Sequence, residues 1–114
     1  RPDDPEVVRG VARLFQRHGE ASEAASDPAA SEQAYAKAAD LYRRLLTLTP
    51  GDADVPKELA ASLYGRAQGL ESVARWADAR RVFGEAAEAY RAAGGPRAAV
   101  SVARCRYHEA NNLA

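Results

Sequence analysis

Residues 35–52 read YAKAADLYRRLLTLTPGD, and residues 76–91 read WADARRVFGEAAEAYR. Each stretch places an alanine, an aromatic residue four positions later, and an apolar residue three beyond that. The first set is Ala38, Tyr42 and Leu45; the second is Ala79, Phe83 and Ala86. The offset is 41 for all three pairs (79−38, 83−42, 86−45). A small residue followed at helical spacing by a large one lets a helix sit close against a neighbour. Recurrence at a fixed interval marks stacked helical units, each burying its apolar face on the next.

The rest of the composition agrees with helices. The 114 residues suffice for one domain that buries about two thirds of its unfolded surface. The 46% apolar share rests on alanine, which favours helix at no side-chain entropy cost, and β-branched residues are sparse. Basic and acidic residues number 16 each, so the chain lacks the charge footprint of a nonspecific nucleic-acid binder. The balance shifts toward the end: from Arg80 onward Arg80, Arg81, Arg91, Arg97, Arg104 and Arg106 face only Glu85, Glu88 and Glu109. Cys105 is the single cysteine, which excludes an internal disulfide and suits a reducing, cytoplasmic compartment. No apolar run approaches the roughly 20 residues of a membrane span, and no signal peptide is visible. The first residue is Arg1 and the last four are NNLA, so the expectation is a segment of a longer protein.

Five helices follow from the punctuation. Asp3, Asp4, Pro5 and Glu6 combine a capping carboxylate, an early proline and acidic residues where the helix dipole favours them. Val7, Val8, Val11, Leu14, Phe15 and His18 then fall at helical spacing and are expected to face inward. Gly19 could cap this helix, or the helix could continue to about Ala25. Asp27 or Ser26 caps a second helix from about Pro28 to Leu48, which Pro50 and Gly51 end. Asp54 starts a third, with Leu59, Leu63, Ala67, Leu70 and Val73 as its stripe; Gly65 and Gly69 there mark close approach of another helix. A fourth runs from about Ala77 to Ala93, stopped by Gly94-Gly95. Pro96 opens a fifth, with Val100, Ala103, Tyr107 and Ala110 or Asn111 on one expected inward side. Short connections favour antiparallel neighbours.

These residues resemble the tetratricopeptide repeat (TPR) family. YAKAADLYRRLLTLTPGD is similar to the family's second helix and its closing proline. LAASLYGRAQGLESVARWADARRVFGEAAEAYR resembles the lengthened repeat of about 42 residues found in actinobacterial proteins. Leu59, Ala60, Ser62, Leu63, Leu70, Ala79, Glu85, Ala86, Tyr90 and Arg91 fall on that pattern without a gap, and Ala67 takes its small site. Arg66 and Ala74 depart from it, the latter where glycine commonly makes the turn. The match covers about Pro28 to Arg91; Asn111 to Ala114 resembles part of a further repeat. The resemblance implies an all-α, right-handed, TPR-like solenoid of about five antiparallel helices in one domain. Residues 1–27 form its N-terminal helix and connection, 28–95 the best-matching repeats, and 96–114 a C-terminal helix.

It also implies a peptide-binding groove lined by first-helix side chains, here Ala61, Tyr64, Gln68, Glu71 and Ser72. Tyr64 could either offer its ring to a partner or pack at a seam between repeats. On the fifth helix Arg97, Arg104, His108 and Asn111 share one face by their spacing and could extend the surface toward an acidic or carboxylate-bearing peptide. Cys105-x-x-His108 is half a zinc site at most, and no orienting group or oxyanion donor accompanies it as a nucleophilic pair. Scattered carboxylates among arginines suit solvated helices rather than paired acid–base catalysis. The expectation is therefore a non-enzymatic scaffold that binds a protein or peptide without cofactor or metal. It would not engage nucleic acid or membrane. The alternative is a structural module that pairs into a homodimer through its exposed ends.

Overall fold

A computed structural model describes residues 4–112. Asp3, and Leu113-Ala114 of the last stretch, lie outside them. Five α-helices and no strand occur among the described residues: α1 (Pro5–Ala24), α2 (Pro28–Leu48), α3 (Asp54–Ser72), α4 (Trp76–Ala93) and α5 (Ala98–Asn111).

The helix starts follow from side-chain caps. Asp4 accepts from the Glu6 amide at 2.9 Å and Pro5 fills the first turn, where its missing N–H leaves nothing unpaired. Asp27 caps α2 in the same way, accepting from the Ala30 amide at 3.2 Å. At the head of α3 the accepting carboxylate is that of Asp52, 2.9 Å from the Asp54 amide, and not that of Asp54. The Asp54 amide, then Arg9, hold the Asp52 carboxyl below its usual range. α5 begins at Ala98, two residues later than Pro96 suggests.

Two turns share one geometry. After α1, Ser26 takes φ +59°, the Asp27 amide reaches Ser22 O at 2.8 Å and the Ser26 amide reaches Glu23 O at 3.0 Å. After α3, Ala74 takes φ +62°, the Arg75 amide reaches Leu70 O at 2.9 Å and the Ala74 amide reaches Glu71 O at 3.0 Å. Both are Schellman caps built without glycine. They lie 48 residues apart (74−26), as do the starts of α2 and α4 (76−28). In this register Ala12 matches Ala60, Ala38 matches Ala86 and Ala39 matches Ala87, all with no exposed surface. The echo at 41 joins residues that are likewise buried, but about two helical turns out of step along α2 and α4.

Links of three to five residues return each helix antiparallel to its predecessor, and each packs chiefly on its sequence neighbours. Arg9 of α1 bonds Glu58 of α3 at 3.0 Å, and His108 of α5 bonds Glu71 of α3 at 3.0 Å. Arg43 of α2 bonds Glu85 of α4 at 2.6 Å. Thus α1, α3 and α5 form one layer and α2 and α4 the other. The 20 Å short dimension of the 43 × 30 × 20 Å body is about two helix diameters. Between the layers Tyr42, Leu45, Val55, Leu63, Leu70, Val82 and Phe83 are fully buried, each worth about 1.5–3 kcal/mol of transfer free energy.

Small residues decide which face of a helix turns in. α1 buries Val8, Ala12, Gly19 and Ser22 and leaves Val7, Val11 and Leu14 exposed, against expectation. Gly19 is no cap: a Cβ there would lie 3.0 Å from the Tyr35 ring. Gly65 approaches the same ring, where a Cβ would come within 2.6 Å, and one at Gly69 would meet Glu32 at 2.9 Å. The close approach read from Gly65 and Gly69 is therefore real. α5 also corrects the expectation: Cys105 is its fully buried side chain, while Val100, Ala103, Tyr107 and Ala110 face out.

Candidate functional site

The residues singled out on α3 recur at 61, 64, 68 and 71, one face of a helix. α5 lies along this face. His108 Nε2 is 3.1 Å from the Tyr64 hydroxyl and Nδ1 is 3.0 Å from Glu71 Oε2. Glu71 only accepts, so Nδ1–H donates to it, and in the neutral ring Nε2 accepts from Tyr64. Asn112 donates from Nδ2 to the same Glu71 oxygen at 2.9 Å and to His108 O at 2.7 Å. Phe83 of α4 stacks on the imidazole, with centroids 4.4 Å apart and planes 8° from parallel. Tyr64 meets both rings edge-on. Burial pushes the Tyr64 phenol above its ordinary range, and it pushes the Cys105 thiol up to about 11.

Tyr64, Glu71 and His108 are thus brought together, and they spend their bonding groups on one another as the seam between α3 and α5. A carboxylate–imidazole–phenol chain has the order of a proton relay. Its outer hydroxyl, however, is harder to ionise than a free tyrosine, and the stacked, bonded imidazole is fixed in place. The arrangement does the work of a clamp.

The other candidates separate. Gln68 and Ser72 line an open cleft of about 370 Å³ beside the α1–α2 turn, with Glu23 and Ser31. Ala61 is half-buried on α3. Arg97 lines a second cleft of about 390 Å³ with Lys57, Tyr90 and Ser101, around the Gly94-Gly95-Pro96 link. Arg104 and Asn111 are exposed on α5. The side chains of Lys57, Arg97 and Arg104 form no ion pair or hydrogen bond with another described residue. Sequence reasoning missed Lys57, although it lies four residues before Ala61 on the same face of α3. It also missed Phe83 and Asn112 as partners of His108, contacts that depend on where α5 docks.

Among the described residues no group of three or more His, Cys, Asp or Glu is arranged to hold a metal ion, and no helix is long and apolar enough to cross a membrane. Fold and site together define an all-α, five-helix unit whose last helix is clamped beside a cationic cleft. No family model, curated protein or solved structure matches the chain.

Proposed function

We propose that the chain is a protein-interaction scaffold of TPR-like, right-handed solenoid type. It would hold a peptide segment, or a neighbouring domain, on the layer formed by α1, α3 and α5. The observation that carries this reading is the cleft between α3, α4 and α5. Lys57 and Arg97 line it, no carboxylate does, and neither cation has an ion-pair partner among the described residues. Cationic groups left without partners at an open cleft favour a carboxylate-bearing ligand, by charge-assisted hydrogen bonds. Arg104, exposed one helix face away, extends the same field. The two-layer packing of consecutive hairpins is what a solenoid would give. Its turns recur at 48 residues, so these hairpins are longer than those the 41-residue echo suggests. A single buried cysteine fits a reducing, cytoplasmic setting.

A labelled, extended acidic peptide with a free C-terminus, titrated by fluorescence anisotropy, tests the reading. Lys57→Glu with Arg97→Glu is expected to weaken binding at least tenfold, and added salt should weaken it further. Equal affinity in the double variant would remove the cleft from consideration. A second reading, self-association, is favoured by the apolar residues that α1 and α5 leave exposed. Sedimentation separates the two, since a monomer across micromolar concentrations excludes the second.

A further inference from the structure

The outward side of α5 carries its own pattern. Val100 and Tyr107 are 60% and 66% exposed, Ala99, Ala103 and Ala110 lie beside them, and together they make a continuous apolar strip at helical spacing. Arg97, Arg104 and Asn111 run along the α3 edge of this strip. Along the α4 edge lies Arg106, already held by Glu109 at 2.5 Å and Glu88 at 3.3 Å. The one carboxylate of α5, Glu109, is turned toward Arg106 and away from the strip. The exposed face is therefore apolar along its middle and cationic along its free edge, with no acidic group on it among the described residues.

A partner helix with aliphatic residues three and four positions apart, and glutamates or aspartates along one flank, complements both features. A second copy does not. Setting α5 on α5 brings the unpaired Arg97 and Arg104 of two chains together. Setting it on α1, whose exposed Val7, Val11 and Leu14 are flanked by both Glu6 and Arg17, offers Arg97 and Arg104 mixed charge rather than an acidic flank. The clamp described above makes the docking strip firm: His108, bonded to Glu71 and Tyr64, sits one residue after Tyr107 and fixes the turn that presents it.

We propose that the outer face of α5 docks an acidic amphipathic helix of a partner protein, through Val100 and Tyr107 in the centre and Arg97 and Arg104 at the edge. This rests on the scaffold reading and names the partner's chemistry. Its face adjoins the cleft at Arg97, which serves both, and runs along α5 away from Lys57.

The probe is a designed helical peptide of about five turns, with leucines at three- and four-residue spacing and glutamates on one flank. A counterpart carries lysines in place of the glutamates. Both are titrated into the full chain and followed by amide chemical shifts. The expected result is that the acidic helix shifts residues 97–111 and the lysine counterpart does not bind. Arg104→Glu should weaken the acidic helix at least tenfold, and Val100→Ser with Tyr107→Ser should abolish binding while the chain stays folded, with its helical circular dichroism retained although the edge contact of Tyr107 with His108 is lost. Lys57→Glu should leave the helix unaffected while weakening the extended acidic peptide. Equal binding of the lysine counterpart, undiminished binding by the Val100/Tyr107 variant, or shifts confined to the cleft would overturn the proposal. So would a wild-type dimer that Tyr107→Ser dissolves. If the extended peptide binds and the helix does not, this inference fails and the cleft reading stands; if neither binds, both fail.

Discussion

Tyr35 and Phe83 occupy corresponding places in two successive hairpins, 48 residues apart (83−35). So do Glu23 and Glu71 (71−23). In the first hairpin the Tyr35 hydroxyl donates to Glu23 at 3.0 Å, and the bond stays between α1 and α2. In the second the aromatic is phenylalanine, which offers no hydroxyl. Glu71 instead takes its hydrogen bonds from His108 and Asn112 of the next helix, and the freed ring face of Phe83 carries the imidazole. One missing oxygen turns a bond that closes a hairpin into a bond that recruits α5. The ring of Tyr35 is approached closely by Gly19 and Gly65, whereas Phe83 has Tyr64 and His108 for neighbours. The first hairpin is locked by close backbone approach and the second by aromatic and polar contacts.

The largest effect should come from the second lock. His108→Ala removes two hydrogen bonds and a ring stack, and is expected to cost about 3 kcal/mol in urea unfolding. Tyr35→Phe removes one hydrogen bond and should cost about 1 kcal/mol. Equal losses would mean that the two hairpins are not held differently. Next in size is Gly65→Ala. Overpacking Tyr35 costs about 1–3 kcal/mol and helix propensity returns ~1, for a net loss of up to about 2. Gly10→Ala, with open space around its Cβ, should instead gain up to ~1 kcal/mol. A gain at Gly65→Ala equal to that of Gly10→Ala would show that the close approach to Tyr35 carries no weight.

Alkali offers a third contrast. Cys105 titrates at about 11 in the folded chain against an ordinary 9.0, so its contribution is whole below pH 9 and is lost as pH rises from 9 toward 11. Burial also raises Tyr35 and Tyr42 above 10, so their share begins to fall only above pH 10. Cys105→Ala should therefore flatten the stability profile first between pH 9 and 10, with α5 as the affected element. An unchanged slope there would contradict the burial of the thiol. The smallest effect is expected at the paired turns. Ala74→Gly relieves a left-handed alanine at some entropic cost in the unfolded chain, for a net gain of about 0.5–1 kcal/mol. Ser26→Gly should match it if the two caps are equivalent.

Helix existence and ends were legible because they depend on local chemistry: Asp4 and Asp27 as caps, Pro50-Gly51 and Gly94-Gly95 as stops. Which face turns inward was less so. Val7, Val11 and Leu14 outrank Ala12, Gly19 and Ser22 on any hydrophobic scale, yet the small residues are the buried ones, and at Gly19 the Tyr35 ring comes too close for a larger side chain. On α5 the strip of Val100 and Tyr107 was equally misleading, since Cys105 and the polar His108 and Asn112 make the real contact. Their partners lie about 40 residues away in sequence, beyond any helical periodicity. The turn after α3 was expected without a glycine to mark it, and Ala74 makes it in the left-handed conformation. For the site, residue choice exceeded residue use. Tyr64, Glu71 and His108, expected to line one binding surface, come together, but in bonds to each other.

The central claim is that Glu71 is committed to α5 while Glu23 is committed to its own hairpin. Amide hydrogen exchange in Glu71→Gln and Glu23→Gln tests it directly. The account predicts that Glu71→Gln speeds exchange across residues 98–111 at least tenfold, while Glu23→Gln leaves those residues at the wild-type rate. Equal protection of α5 in both variants would contradict it.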